Sequence, residues 1–303
     1  MKQFKCYTKK LLAIRNVDHV SLRLHCEQRL IKQIAACPEP FYKKTRQEPK
    51  SSGGFREITP PKKQLMEIQK KINALLQEVI LPETFYGGVK RKNNIGNAKH
   101  HKGKKFVGCF DIKEFFPNIK RNRVKGVFIL LGCSVPVARM LSKLTTYNGT
   151  LPQGAPTSST LANLVMAQQA FRIEALAKKH KLEITFFQDD VAVSGEFDIN
   201  RIRRLIIRIF EQIGFSIHTG EKLQIREQSR RQSVTGIVVN KKLNVPKEKI
   251  DSIRKGLLQG KSRQLSKKEV MSLRGKIGYV VQVNPEKGKK LLKKLEVLQG
   301  KIK

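Results

Sequence analysis

"ITFFQDDVAVSG", residues 184–195, decides how the rest of this chain is read. An apolar run from Ile184 to Phe187 meets Gln188 and then two adjacent aspartates, Asp189 and Asp190. A second apolar run, Val191 to Val193, follows before Ser194 and Gly195. The pattern predicts two strands joined by a tight turn, with both carboxylates at the tip. Acids side by side repel, and each resists partial burial. Something must offset that repulsion. On the hairpin alone, a plain exposed Asp-Asp turn stands even with a functional reading.

Composition narrows the choice. The chain has 303 residues, 39% of them hydrophobic, enough for a sizeable core and two or three subdomains. No apolar run approaches the length of a membrane span, and the first residues, "MKQFKCYTKK", lack the apolar stretch of a secretory signal. A cytoplasmic protein with no membrane role is the expectation. The cysteines at 6, 26, 37, 109 and 133 are scattered without a CxxC pair, which predicts free thiols and no structural zinc. Lys and Arg number 62 against 24 acids, a net charge of +38. Solubility needs far less. A polyanionic partner fits, with nucleic acid ahead of a membrane surface.

Working outward from the hairpin, "KFVGCFDIKEFFPNI" (105–119) reads as a buried strand ending at Asp111. "NGTLPQGAPTSSTLANL" (148–164) is a Gly/Pro loop leading into a long helix from about 157 to 180. Residues 18–36, 64–80 and 200–213 read as helical, 86–105 as a polar, basic, Gly-rich stretch, and "QSVTGIVVN" (232–240) as a strand. "RQEPKSSGGFREITPPKK" (46–63) is turn-rich, with strand-like "FREI" inside. Residues 241–303 read as helical and carry 19 Lys/Arg against 5 acids.

If the strand ending at Asp111 neighbours the Asp-Asp hairpin in one sheet, three carboxylates converge. Two Mg²⁺ ions, about 3.5–4 Å apart in such sites, would then offset the repulsion and clamp both oxygens of a phosphoryl transfer. Hard oxygen donors are what Mg²⁺ prefers.

"FDIKEFFPNI", "LPQGAPTSSTLANL", "FFQDDVAVSG" and "QSVTGIVVN", in that order, resemble a reverse transcriptase, and more narrowly the bacterial retron type. The narrower resemblance rests on "NAKHH" (97–101), "VTG" (234–236) and the wording of "LPQGAPTS". It covers roughly residues 54–290 and implies an α+β right-hand polymerase: fingers, a palm of antiparallel sheet backed by helices, and a short helical thumb. The expected organisation is an N-terminal helical region (1–53), fingers and palm (54–240) and a basic, RNA-binding thumb (241–303).

The resemblance also implies roles. Asp111 and Asp189 would be the principal metal ligands, with Asp190 completing the cluster and Ile112 offering its backbone carbonyl. Phe116 would close against the sugar and exclude a 2′-hydroxyl, so dNTPs are the expected substrates; a core phenylalanine beside Phe115 is the alternative. Gln153 and Gly154 would line the nucleotide pocket, although the same residues serve a loop before a helix. Arg56 would reach the triphosphate, its planar fork suited to phosphate oxygens. Lys222 would stand near the leaving pyrophosphate. For both cations a solvated surface charge is the alternative. Asn97 and His101 would contact structured RNA or pack locally, and Val234, Thr235 and Gly236 would position primer or template, with Gly236 allowing close backbone approach.

By the same resemblance, the protein would copy part of a dedicated structured non-coding RNA into single-stranded DNA joined to that RNA (msDNA). Synthesis would be primed from an RNA 2′-hydroxyl, give an RNA–DNA duplex product, and serve anti-phage defence with an effector protein. The rivals are a group II intron-like or other phage-defence enzyme, and an RNA-binding protein that keeps only a polymerase shell. The chain departs from the family at Phe187-Gln188, where Tyr-x is usual, so Gln188 is expected to set a polar group beside the primer end. Ser159 stands where proline is common.

Overall fold

A computed structural model describes residues 12–49, 53–220 and 223–300. Helices α1 (Val17–Leu24) and α2 (Gln28–Ala36) lead to an antiparallel hairpin, β1 (Arg46–Pro49) and β2 (Phe55–Ile58), and to helix α3 (Lys63–Leu76). Helix α4 (Asn94–His100) precedes strand β3 (Phe106–Asp111). Helices α5 (Phe115–Asn118), α6 (Arg121–Leu130), α7 (Val135–Leu144) and α8 (Ser158–Lys179) follow. Next come the hairpin β4 (Glu183–Phe187) and β5 (Asp190–Gly195), helix α9 (Arg203–Gln212), and strand β6 (Gln224–Glu227). A short pair, β7 (Ser233–Val234) and β8 (Ile237–Val238), leads to helices α10 (Lys247–Ser262), α11 (Lys267–Val283) and α12 (Pro285–Leu298).

The central sheet is antiparallel, in the order β4-β5-β3-β6. Strand alternation sorts its side chains. Phe110, Phe186, Val191 and Val193 face one way, into a core shared with α1, α2, α3, α6, α7, α8 and α9. Val107 and Ala192 face the other way, into a second core with Ile95 and Ala98 of α4 and Ile253, Leu273, Ile277 and Leu295 of the last three helices. Asp111 continues the row of Val107 and Cys109, so it emerges at the sheet's end on the side of that second core. This is an α+β fold.

Several local expectations change. Residues 18–36 form two helices, because His25 turns left-handed (φ 45°) and caps α1 through its N–H. Helix α3 stops at Leu76, ahead of Pro82. The polar stretch 86–105 contains α4, whose start is fixed by the Asn93 side chain accepting from the Gly96 N–H at 2.8 Å. Residues 232–240 do not run straight. Thr235 (φ 45°) and Gly236 (φ 77°) reverse the chain between β7 and β8, the two-positive-φ pattern of a type I′ hairpin. The four described cysteines are all free.

Candidate active site

Asp111 and Asp190 are cross-strand partners at the end of β3 and β5. Directly opposed residues share a face, their Cβ atoms about 5 Å apart. Asp189 occupies the turn between Phe187 and Asp190, which pair across β4 and β5. The Ile112 N–H donates to the Asp189 carbonyl at 2.9 Å, stitching the turn to the end of β3. The Asp190 carboxyl is pushed up to about 7 by loss of solvent and by the charges of Asp189 and Asp111. The residue as a whole remains exposed at the end of the strand. The sequence reading missed His218. Its Nε2 lies 3.9 Å from Asp111 Oδ2 and its N–H donates to the Asp111 carbonyl at 2.8 Å.

These acids open onto a cleft of about 620 Å³ lined by Asp111, Phe187, Asp190, Asn94, Asn97 and the 233–236 turn, among others. The nucleotide-side candidates lie outside that lining and are tied to one another by single backbone hydrogen bonds. The Leu151 N–H donates to Ile119 O (3.0 Å), tying the segment after Phe116 to the loop that holds Gln153 and Gly154. The Thr59 N–H donates to Gln153 O (2.9 Å), tying that loop to the end of β2. Gly154 (φ 95°) sits so close that a Cβ there would stand 2.7 Å from the Ile58 side chain. Phe115 is buried, while Phe116 beside it stays partly open. Arg56 is exposed on β2 and pairs with Glu48 at 3.2 Å. Lys222 lies outside the described residues.

Of the remaining motif residues, His101 and Asn97 pack locally, the alternative to RNA contact. His101 is fully buried, with Nδ1 2.7 Å from Ser194 Oγ and Nε2 2.7 Å from Thr185 Oγ1. Both ring nitrogens are occupied, so none remains for RNA. Burial, with the charges of His100 and Lys104, pushes this imidazole down to about 3. Asn97 is also buried, and its Nδ2 reaches Thr235 Oγ1 at 3.4 Å. Asn94 Nδ2 contacts Thr235 O (3.4 Å) and Tyr279 OH of α11 (2.8 Å). Helix α4 thus joins the hairpin, the 235–236 turn and the last helices. Val234 is core; Thr235 is half-buried and Gly236 exposed on the cleft wall. The Gln188 Nε2 donates to Gly87 O at 2.5 Å.

Could these residues hold a divalent metal? The donors are hard oxygens, and the raised Asp190 pKa records a crowding of negative charge that a cation relieves. Among the described residues, no three His, Cys, Asp or Glu side chains close into a ligand cluster. The acids fit such ions in chemistry, with Asp111 opposite Asp190.

An acid at the end of a central strand, opposite an acidic hairpin in an antiparallel sheet backed by helices, defines the palm of a right-hand polymerase. A model of the reverse transcriptase (RNA-dependent DNA polymerase) family matches residues 45–239, and the chain belongs to that family. The retron reverse transcriptase Mx65 of Myxococcus xanthus is 30% identical over 267 residues, 81% of this chain and 62% of the relative. Retron Ec86 reverse transcriptase of Escherichia coli is 28% identical, over 82% of this chain and 78% of its own. Retron Se72 reverse transcriptase of Salmonella heidelberg (strain 579083-10) is 29% identical, over 77% and 64%. The retron-type resemblance stands on these relatives, and the chain spans 62% of the length of the first of them.

Proposed function

We propose that this chain is an RNA-directed DNA polymerase. The observation that carries this reading is Asp111 standing opposite Asp190, with Asp189 at the adjoining turn and a cleft in front of them. A primer hydroxyl oxygen attacks the α-phosphorus of a dNTP. The bond from that phosphorus to the bridging oxygen breaks, pyrophosphate leaves, and the hydroxyl proton passes to solvent. Asp111, Asp189 and Asp190 would hold two Mg²⁺ ions, which supply charge neutralisation for the reacting oxygens. Arg56 and Lys222 bind the triphosphate, Gln153 and Gly154 form the pocket floor, and Phe116 excludes a 2′-hydroxyl. Residues 54–240 act as fingers and palm and 241–303 as a thumb whose lysines bind phosphates.

More narrowly, the retron relatives support a dedicated structured RNA as template and primer, a 2′-hydroxyl start, msDNA as product, and a defence role with an effector protein. The test is in cells. The gene with its flanking DNA is expressed beside an Asp189→Asn, Asp190→Asn double variant, and small nucleic acids are run on a denaturing gel with and without debranching. A discrete DNA, absent from the variant and shifted by debranching, supports both levels. No such DNA, with variant-sensitive dNTP incorporation on a generic primed RNA, keeps the polymerase and discards the retron reading. RNA binding without incorporation under either condition leaves only a polymerase shell.

A further inference from the structure

Gln188 occupies a costly place. It sits at φ 59° in the turn before Asp189, a conformation that Gly or Asn takes far more easily than Gln. Its side chain is what this position gains. Nε2 donates to Gly87 O at 2.5 Å and reaches Asn163 Oδ1 at 3.4 Å. Asn163, buried on α8, donates its own Nδ2 to the same Gly87 carbonyl at 2.7 Å. The receiving loop is shaped for this contact. A Cβ on Gly87 would stand 2.7 Å from the Gln188 backbone nitrogen, and one on Gly88 would stand 2.8 Å from Gln188 Nε2. The loop is itself fixed to β4: the Phe186 N–H donates to Thr84 O and the Tyr86 N–H to Phe186 O, each at 2.8 Å.

Three separate pieces of chain therefore meet at one amide: the 84–88 loop, α8, and the turn carrying the acids. Asp189 and Asp190 follow Gln188 immediately, so the orientation of their backbone depends on how residue 188 is held. Its Nε2 is directed toward Gly87 and Asn163, while its Oε1 is buried with no partner among the described residues. We propose that Gln188 is a positioning residue: its amide, gripped by Gly87 and Asn163, holds the turn that presents Asp189 and Asp190, and it takes no part in contact with the primer end. The inference rests on the polymerase reading. Catalytic geometry is sensitive to shifts of this kind, because a misplacement of about 1 Å can cost about a hundredfold in rate.

The test uses the full chain on a generic RNA template with an annealed DNA primer, measuring single-nucleotide incorporation. Gln188→Asn is the informative variant. Asn tolerates positive φ better than Gln but is one methylene too short to reach Gly87. The latch predicts an unchanged or higher melting temperature and a kcat lowered about tenfold or more. It also predicts a KM for dNTP within about twofold of wild type and a higher Mg²⁺ requirement for half-maximal rate. Asn163→Leu should reproduce the pattern, and the double variant should be no slower than the slower single one. A Gln188→Asn chain as fast as wild type overturns the proposal, whether or not Asn163→Leu folds. So does a Gln188→Asn defect confined to KM for primer or dNTP, which would make the residue a substrate contact. A wild-type chain that incorporates no dNTP here and makes no discrete DNA in cells removes the polymerase reading and the latch with it; an active wild type with unimpaired variants removes the latch alone.

Discussion

Asp111 pairs with Asp190 on the last rung shared by β3 and β5. Loss of solvent, and then the charges of Asp189 and Asp111, raise the Asp190 carboxyl to about 7. A carboxyl raised by folding is destabilising wherever it is ionised in the fold, and folding favours its protonated form at lower pH. Asp190→Asn is therefore expected to melt about 2–5 °C higher than wild type at pH 8 in the presence of a chelator. The same substitution should lower dNTP incorporation about a thousandfold or more, through loss of several kcal/mol of charge stabilisation. Calorimetry and primer extension on one preparation check both. A variant that melts lower without metal would remove the repulsion argument.

His101 gives the pH dependence. Its imidazole is held near 3 against an ordinary value of 6.5, so the fold excludes the charged form. The unfolded chain takes up a proton below about 6.5 that the folded chain refuses until about 3. The contribution of His101 to stability is thus present above about 6.5 and is lost as pH falls from there toward 3. His101→Gln should flatten that part of the curve. His101→Ala strands the hydroxyls of Ser194 and Thr185 and should cost about 2–4 kcal/mol at pH 7.5. Urea titrations between pH 5 and pH 8 read both effects. Equal pH slopes for wild type and His101→Gln would contradict the assignment.

Phe116 is the open member of the Phe115–Phe116 pair, the rings 5.5 Å apart. If it bars a 2′-hydroxyl, discrimination comes from a clash, and shortening the ring removes it. Phe116→Ala should raise the efficiency of rNTP use relative to dNTP at least about tenfold. Phe115→Ala should instead cost stability, because that ring is buried. Competition between matched rNTP and dNTP in single-turnover extension decides. A Phe116→Ala enzyme that still refuses rNTPs would return Phe116 to the core.

Much of the site was legible because alternation is local. The runs around Asp111 and Asp189-Asp190 each bury apolar side chains, so both read as strands of the sheet with acids at their ends. Pairing of the two was then the economical arrangement. What sequence could not carry was the set of long-range polar contacts. His101 meets Thr185 and Ser194 across more than eighty residues of chain, and α4 has too short an apolar stripe to signal a helix. The 232–240 run read as one strand because its hydrophobic residues mask the reversal at Thr235, a β-branched residue where Asn-Gly would have announced a turn. His218 was hidden for the same reason. Its neighbour Asp111 is brought to it by the fold.

Thr235 supplies the last prediction. A β-branched residue at φ 45° costs about 1–2 kcal/mol in the backbone. In exchange its hydroxyl accepts from Asn97 Nδ2 at 3.4 Å and donates to Asn94 O at 3.3 Å. Asn97 Oδ1 has no partner among the described residues, so the Nδ2 contact is the side-chain bond that holds this amide. Thr235→Gly should relieve the strain and lose the hydrogen bonds, leaving stability within about 1 kcal/mol of wild type. It should nevertheless slow primer extension, because the turn on the cleft wall loses both hydroxyl bonds to α4 and keeps only the contact of its backbone carbonyl with Asn94. Thr235→Ser keeps the hydroxyl and should retain activity. Denaturation and extension measured in parallel separate the outcomes. If Thr235→Gly extends primers as fast as wild type, the joint between α4 and the turn has no part in the reaction. If Thr235→Ser is as slow as Thr235→Gly, the methyl group packed at the turn, and not the hydroxyl, is what the site requires.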